Sequence, residues 1–485
     1  MRKALIGATI LVLAISAIAA YLVLSRDDFS LSKTREIAYD ASGFSPRRLV
    51  VSLGDRVTFR NESDNPFWPA SDLHPSHGIY SQFDPKMPVE AGGSWSFSFE
   101  KPGIWKFHDH LASRQTGEIV VLSSTGKVVV PDCKSASSTP GECFQADVVA
   151  ALKKGGLDAA LDRMAELYDT DPRFRDSCHS VAHILGKSAY LAFDEGKEIK
   201  LSAKTSYCSY GFYHGFMEEM LQISGDVDGA REFCAQAGKL LASESANAEG
   251  ACYHGIGHGA ADGGDPRAWG DPVALASPGI ALCNKVDPTE PHFYRCVSGV
   301  FNSIALMFIE RSYNLSLDDR GPFEVCKNWK EFRVKNPCYQ EMNTLVATLS
   351  NSDLSRAIEY VEEIEDDLQY SALAMRSLSG VFPSNFKEPY EDEFESTVRS
   401  CKAAREDLVV PCVQGIPSGL MEFGPPGREY EAAIAFCETP GMSKGEQDSC
   451  YEAAFGSVRA YYSKEKQKAI CSGVDPLRRE DCYKP

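Results

Sequence analysis

Sixteen cysteines, all between Cys133 and Cys482, constrain this 485-residue chain more than any other feature. From Cys234 onward they come in close couples: Cys234 with Cys252, Cys283 with Cys296, Cys326 with Cys338, Cys401 with Cys412, Cys437 with Cys450, and Cys471 with Cys482. The second member often opens a motif Cys-x2-Gly-x2-polar. It is seen at Cys208-Gly211-His214, Cys252-Gly255-His258, Cys296-Gly299-Asn302 and Cys412-Gly415-Ser418, with weaker copies starting at Cys178, Cys338, Cys450 and Cys482. A copy starting at Ser377 lacks both cysteines, as a pairing rule requires. The copies recur every 30 to 44 residues, the period of helix-pair solenoids. Residues 145–485 therefore read as an all-α, disulfide-stapled helical-repeat domain, solenoid-like, in which a bridge ties the end of one helix to the start of the next. A bridge across about 15 residues stabilises by roughly 3 kcal/mol in the chain-entropy picture. Cys133, Cys143, Cys178 and Cys208 remain; Cys133–Cys143 and Cys178–Cys208 fit, but spacing alone does not choose. No Cys-x2-Cys occurs, which argues against a metal-thiolate site. The repeat glycine costs roughly 1 kcal/mol of helix propensity, so close helix approach must compensate.

The compartment follows from the N-terminus. Met1-Arg2-Lys3 precedes Ala4–Leu24, 21 residues without a charge. That length spans a bilayer as a helix, and the leading basic residues favour an inside N-terminus. The rival reading is a cleaved signal peptide ending near Ala17-Ile18-Ala19, although the apolar run continues past it. Residues 1–30 are thus an anchor or a signal. Either one exports the rest, giving a membrane-anchored extracytoplasmic protein on the periplasmic or extracellular face, or a secreted one if cleaved. An oxidising compartment suits sixteen cysteines. The net charge of −18 excludes nucleic acid as a partner. Walker loops, nucleophile elbows and dinucleotide fingerprints are absent from the sequence, and no catalytic residue or enzymatic activity is assigned.

Residues 35–123 contain no cysteine and alternate in short runs, such as Arg56-Val57-Thr58-Phe59-Arg60-Asn61 and Ser94-Trp95-Ser96-Phe97-Ser98-Phe99. Such a pattern reads as a β-sandwich, followed by a linker at 124–144. The order SPRRLVVSLGDRVTFRN, GGSWSFSFEKPGIWKFHDHL and GEIVVL resembles a cupredoxin of the plastocyanin or multicopper-oxidase type. The resemblance implies copper between two loops at one end of the sandwich. This chain departs from the family's blue site: Asp109 stands where the Cys is expected, and Glu118 where the Met is. The implied ligands are His74, His77, His108 and His110, with Asp109. Imidazole and carboxylate suit a colourless copper(II) or zinc-type site. The alternative is a fold that has lost its metal and uses these histidines in surface hydrogen bonds.

A second constellation lies in three consecutive repeats. His179 and His183 are spaced i, i+4, as are His254 and His258, with His214 and Glu218 at the same spacing between them. Ten histidines give about 0.2 such His pairs by chance. Helix positions i and i+4 share a face, so five imidazoles and one carboxylate can converge on a metal site. Copper, zinc, iron or a haem suit that chemistry. Tyr210, Tyr213 and Tyr253 are candidate outer donors, and His292 reads as a loop residue. The alternative is that these side chains bond a neighbouring helix's backbone. The leading function is a membrane-anchored metal-binding protein, with copper in the sandwich and a role in metal handling or redox. The alternatives are a metal-dependent oxidoreductase with its second site in the repeats, and a protein- or glycan-binding scaffold without metal. The sequence names no protein or small-molecule partner.

Overall fold

A computed structural model describes residues 35–72, 77, 79–128, 140–261, 263–317, 320–364, 368–387 and 389–484. The apolar segment Ala4–Leu24, His74 and Cys133 lie outside these residues. Among the described residues no helix is long and apolar enough to cross a membrane.

Eight strands form two four-stranded sheets. They are β1 (Glu36–Asp40), β2 (Gly43–Ser45), β3 (Arg48–Ser52), β4 (Arg56–Asn61), β5 (Pro69–Ser71), β6 (Ser94–Ser98), β7 (Gly103–Asp109) and β8 (Ala112–Leu122). The sheet orders are β2-β1-β4-β6 and β3-β8-β7-β5. β1 pairs parallel with β4 and β3 parallel with β8, so the chain crosses between sheets rather than running as simple hairpins. Alternation drives the sandwich: Ile37, Val57, Phe59 and Trp105 are buried while their sequence neighbours face out or lie part-exposed, and at the end of β7 Phe107, His108 and Asp109 are buried in succession. Phe107 meets Phe44 and Phe59 edge-on, with centroids 4.8 and 5.3 Å apart. His108 and Asp109 close β7 instead of lying in a loop.

The chain clusters into two compact units. The first holds residues up to 67 with 89–107 and 115–130; the second holds 68–88, 108–114 and 131 onward. The second unit is built from helices. Cys178–Asp194, Gly211–Ser224, Ala248–Ala260, His292–Glu310, Phe332–Glu341, Leu368–Val381, Glu406–Phe423 and Lys444–Tyr461 form a row in which each packs on the next. The six expected couples, Cys234–Cys252 through Cys471–Cys482, are all bridged, and Cys178 pairs with Cys208. The pairing expected for Cys143 involves Cys133 and so lies outside the described residues. The six couples join consecutive helices but are not confined to helix ends: Cys234 lies in the middle of Val227–Leu241, and Cys412 and Cys450 lie inside Glu406–Phe423 and Lys444–Tyr461.

The repeat glycines mark where two backbones touch. A Cβ on Gly255 would sit 2.5 Å from the Tyr213 carbonyl oxygen, and one on Gly299 would sit 1.9 Å from that of His254. The row is not an open solenoid. Tyr210 rests against Tyr461 with centroids 5.3 Å apart, Asn247 N donates to Ala460 O, and Tyr168 Oη donates to Phe423 O. The last repeats return to the first, so buried surface replaces the exposed cap that an open array needs at each end.

Candidate metal centres

His77, His108 and His110 lie buried, with one nitrogen from each within 4.8 Å of the others. His77 has a left-handed backbone, φ 51°. Its Nδ1 faces Asp84 Oδ2 at 2.6 Å, and its Nε2 faces His110 Nδ1 at 2.8 Å. Asp84 also accepts from Trp68 Nε1 and the Lys86 amide. Burial alone would raise the Asp84 carboxyl, but His77 and Lys86 outweigh it and hold the group well below its usual range. An ionised Asp84 accepts a hydrogen bond from His77 Nδ1, which turns Nε2 inward toward His110. His108 Nδ1 faces Asp72 Oδ1 at 3.3 Å, and burial lowers His108 to about 4, so it is neutral near pH 7. His110 contacts Tyr313 Oη through Nε2.

Ligating imidazoles characteristically give their other nitrogen to a carboxylate or carbonyl. Asp84 and Asp72 meet that requirement, and nitrogens 2.8 Å apart match the edge of a right-angled site with metal–nitrogen bonds of about 2.0–2.1 Å. The donor set fits a late first-row ion. Asp109, expected as a ligand, stands outside this group: its Oδ1 accepts from the amides of Trp68 and Leu111. A carboxylate at the end of β7 satisfies two backbone donors, which a thiolate does poorly.

The helical cluster assembles all six expected residues. His183 Nε2 lies 3.1 Å from both His179 Nε2 and His214 Nδ1. Glu218 faces His183 Nδ1 at 3.4 Å through one oxygen and His258 Nδ1 at 3.3 Å through the other. The His214 ring lies 4.6 Å from that of His258 and 5.0 Å from that of His254. Two histidine triplets result, His179/His183/His214 and His214/His254/His258, with His214 in both. Burial lowers His179 to about 3, and burial with the neighbouring imidazoles holds His214 and His254 well below the ordinary range. Burial would raise Glu218, but His183 and His258 hold it below its usual range.

Local backbone serves this arrangement. Cys208, Ser209 and Tyr210 are all left-handed, with φ of 53°, 58° and 57°, a conformation costing roughly 1–2 kcal/mol per residue. The turn points the Cys208 carbonyl at His179 Nδ1, 2.9 Å away. The tyrosines do not act as outer donors to this cluster: Tyr213 Oη pairs with Thr205, Tyr210 with Ser245, and Tyr253 stacks on His292. His292 opens a helix rather than sitting in a loop, and pairs with Asp287. The supporting residues absent from the sequence reading are Asp72, Asp84, Ser298, Ser303 and Glu341. His254 Nδ1 meets Ser298 Oγ at 2.9 Å, Ser298 donates to Glu341, and Ser303 Oγ lies 3.3 Å from His258 Nδ1.

No family model matches the chain, and no curated protein matches it. Among solved structures it is similar to a purple cupredoxin from Nitrosopumilus maritimus, at 19% identity, covering 18% of this chain and 97% of that one, with a TM-score of 0.15. It is also similar to plastocyanin from Dryopteris crassirhizoma, at 18% identity, 18% and 98% coverage and a TM-score of 0.15. A reduced Cu(I) form of an amicyanin mutant is similar at 16% identity, 19% and 83% coverage and a TM-score of 0.16. These distant likenesses are cupredoxin-like and cover under a fifth of the chain.

Proposed function

We propose that this chain is an extracytoplasmic metal-binding protein that holds copper at His77, His108 and His110 and serves metal handling or redox chemistry. One observation carries the reading: three buried imidazoles converge, and the buried Asp84 and half-buried Asp72 face the outer nitrogens of two of them. Copper is favoured because all-nitrogen sites bind it most tightly among divalent first-row ions. When bound, the ion would supply one-electron or Lewis-acid chemistry. The chain's own residues fix it: Asp84 orients His77, Asp72 orients His108, and Asp109 pins the backbone on either side. The seven bridges among the described residues support an oxidising compartment. The apolar run Ala4–Leu24 supports attachment to a membrane.

Elemental analysis of the purified chain, beside His77→Ala with His108→Ala, tests the reading. The variant should lose one copper equivalent while keeping its bridges. Loaded with copper(II), the parent should lack an intense blue band, because no thiolate reaches the centre. A folded parent that takes up no copper at these residues overturns the assignment.

A further inference from the structure

The helical cluster contains a proton-counting problem. The Cys208 carbonyl can only accept, so His179 carries its proton on Nδ1 and turns an Nε2 lone pair inward. Glu218 receives the Nδ1 proton of His183, so that ring also turns a lone pair inward. With both rings neutral, two lone pairs then face each other at 3.1 Å, a contact that needs a cation between the nitrogens, either a proton or a metal ion. Nitrogens bound at about 2.0–2.1 Å lie about 2.9 Å apart at a right angle and about 3.3 Å apart at the tetrahedral angle. The observed 3.1 Å between His183 and each of His179 and His214 falls between the two.

The other side of the cluster shows the same deficit. His258 gives Nδ1 to Glu218, and its Nε2 is buried without a hydrogen-bond partner. His254 gives Nδ1 to Ser298, whose own proton goes to Glu341. Its Nε2 is therefore another inward lone pair. Glu218 holds one ring of each triplet from behind, and His214 belongs to both triplets. The rings of His183 and His258 are only 6.1 Å apart. Two dications in that space would repel four times as strongly as two unit charges, facing a single bridging carboxylate.

We infer that the cluster binds one late first-row dication in either of two seats that share His214: His179/His183/His214, or His214/His254/His258. Passage between them breaks two metal–nitrogen bonds and forms two, at constant oxidation state, while His214 stays bound. The arrangement is a transfer station for a metal ion. It rests on the helical residues alone and stands whether or not the His77 centre binds copper.

The test uses the full chain carrying His77→Ala and His110→Ala, so that the other centre is silent, loaded with copper(II) alone. Elemental analysis should give one ion per chain, and electron paramagnetic resonance should resolve two nitrogen-ligated species. His179→Ala and His258→Ala should each keep one ion but show only one species, a different one in each variant. His214→Ala should weaken binding on the order of a hundredfold. Thiol titration and circular dichroism report folding. If His179→Ala does not fold, His179→Gln, which retains a donor for the Cys208 carbonyl, takes its place. The two-species spectrum of the parent decides the matter without any variant in the cluster. No bound ion, two ions, a single species, or full binding by His214→Ala each overturns the inference.

Discussion

At the scale of single residues, burial lowers His108, His179, His214 and His254, whereas paired imidazoles and Lys86 hold Asp84 and Glu218 down against it. Asp109 illustrates how an expected ligand serves as a structural anchor. Its carboxylate accepts two amides at the end of β7, and removing a buried acceptor leaves the donors stranded at about 1–3 kcal/mol. Asp109→Ala should therefore lower unfolding stability by that amount in urea titration, even without metal. A loss under about 0.5 kcal/mol would mean water replaces it readily. Glu422 gives a pH prediction of definite sign. Burial, reinforced by repulsion from Glu341, raises it to about 7. Between about pH 4.5 and 7 the unfolded chain loses this proton while the folded one keeps it, so the residue's contribution to stability falls as pH rises. The slope approaches 1.4 kcal/mol per pH unit. Glu422→Gln should gain on the parent by about 3 kcal/mol across that window, measured by denaturation at several pH values. The buried histidines act oppositely: His179, lowered to about 3, withholds a proton that the unfolded chain takes up below about 6.5. Its contribution is lost as pH falls from about 6.5 toward 3.

The clustering of the helical histidines was readable in the sequence because i, i+4 spacing is a local signal. Their acceptors were not. Ser298 and Glu341 reach His254 only across a helix interface, and Asp84 touches His77 through a turn without periodicity.

At the scale of elements, the disulfide couples and the repeat glycines carried most of the helical fold. Each couple is short in sequence and joins consecutive helices, so pairing needed no tertiary information. The glycine's role was likewise legible, since only close approach repays a helix-weakening residue. Gly299→Ala should test it sharply. Its Cβ would meet the His254 carbonyl carbon at 2.9 Å as well as the oxygen at 1.9 Å, both backbone atoms that cannot swing away. We expect a loss of about 1–3 kcal/mol or more and weaker metal uptake by the helical cluster, read from thermal melts and copper titration. Unchanged melting would show that the two helices separate without cost. Strand ends were less legible: β8 runs back to Ala112, well before the apolar Glu118–Leu122 stretch, because pairing continues where alternation fades.

At the scale of the whole helical unit, closure could not be read in advance. Tyr210 and Tyr461 lie far apart in sequence, and no short-range pattern links them. A closed row should unfold as one body rather than fray from its ends. Tyr461→Ala, removing a buried aromatic ring at a cost of about 3–5 kcal/mol, should accelerate amide exchange in Gly211–Ser224 as much as in its own helix. Exchange confined to Lys444–Tyr461 would show that the ends are independent.

The bridge between Cys178 and Cys208 sets a timetable for the cell. Cys178 precedes His179 in the chain, and the Cys208 carbonyl fixes the tautomer of the same ring. That bond adds a covalent tie to the His179–Cys208 contact and to the close packing of the two helices, and so steadies the left-handed turn behind the proposed first seat. On the proposed reading, an exported chain would arrive empty, be oxidised second and take up metal last. Copper(II) added to the reduced chain before refolding should give less bound metal in the helical cluster than the same copper added after oxidation. Equal yields from both orders would show that the seat forms without its bridge.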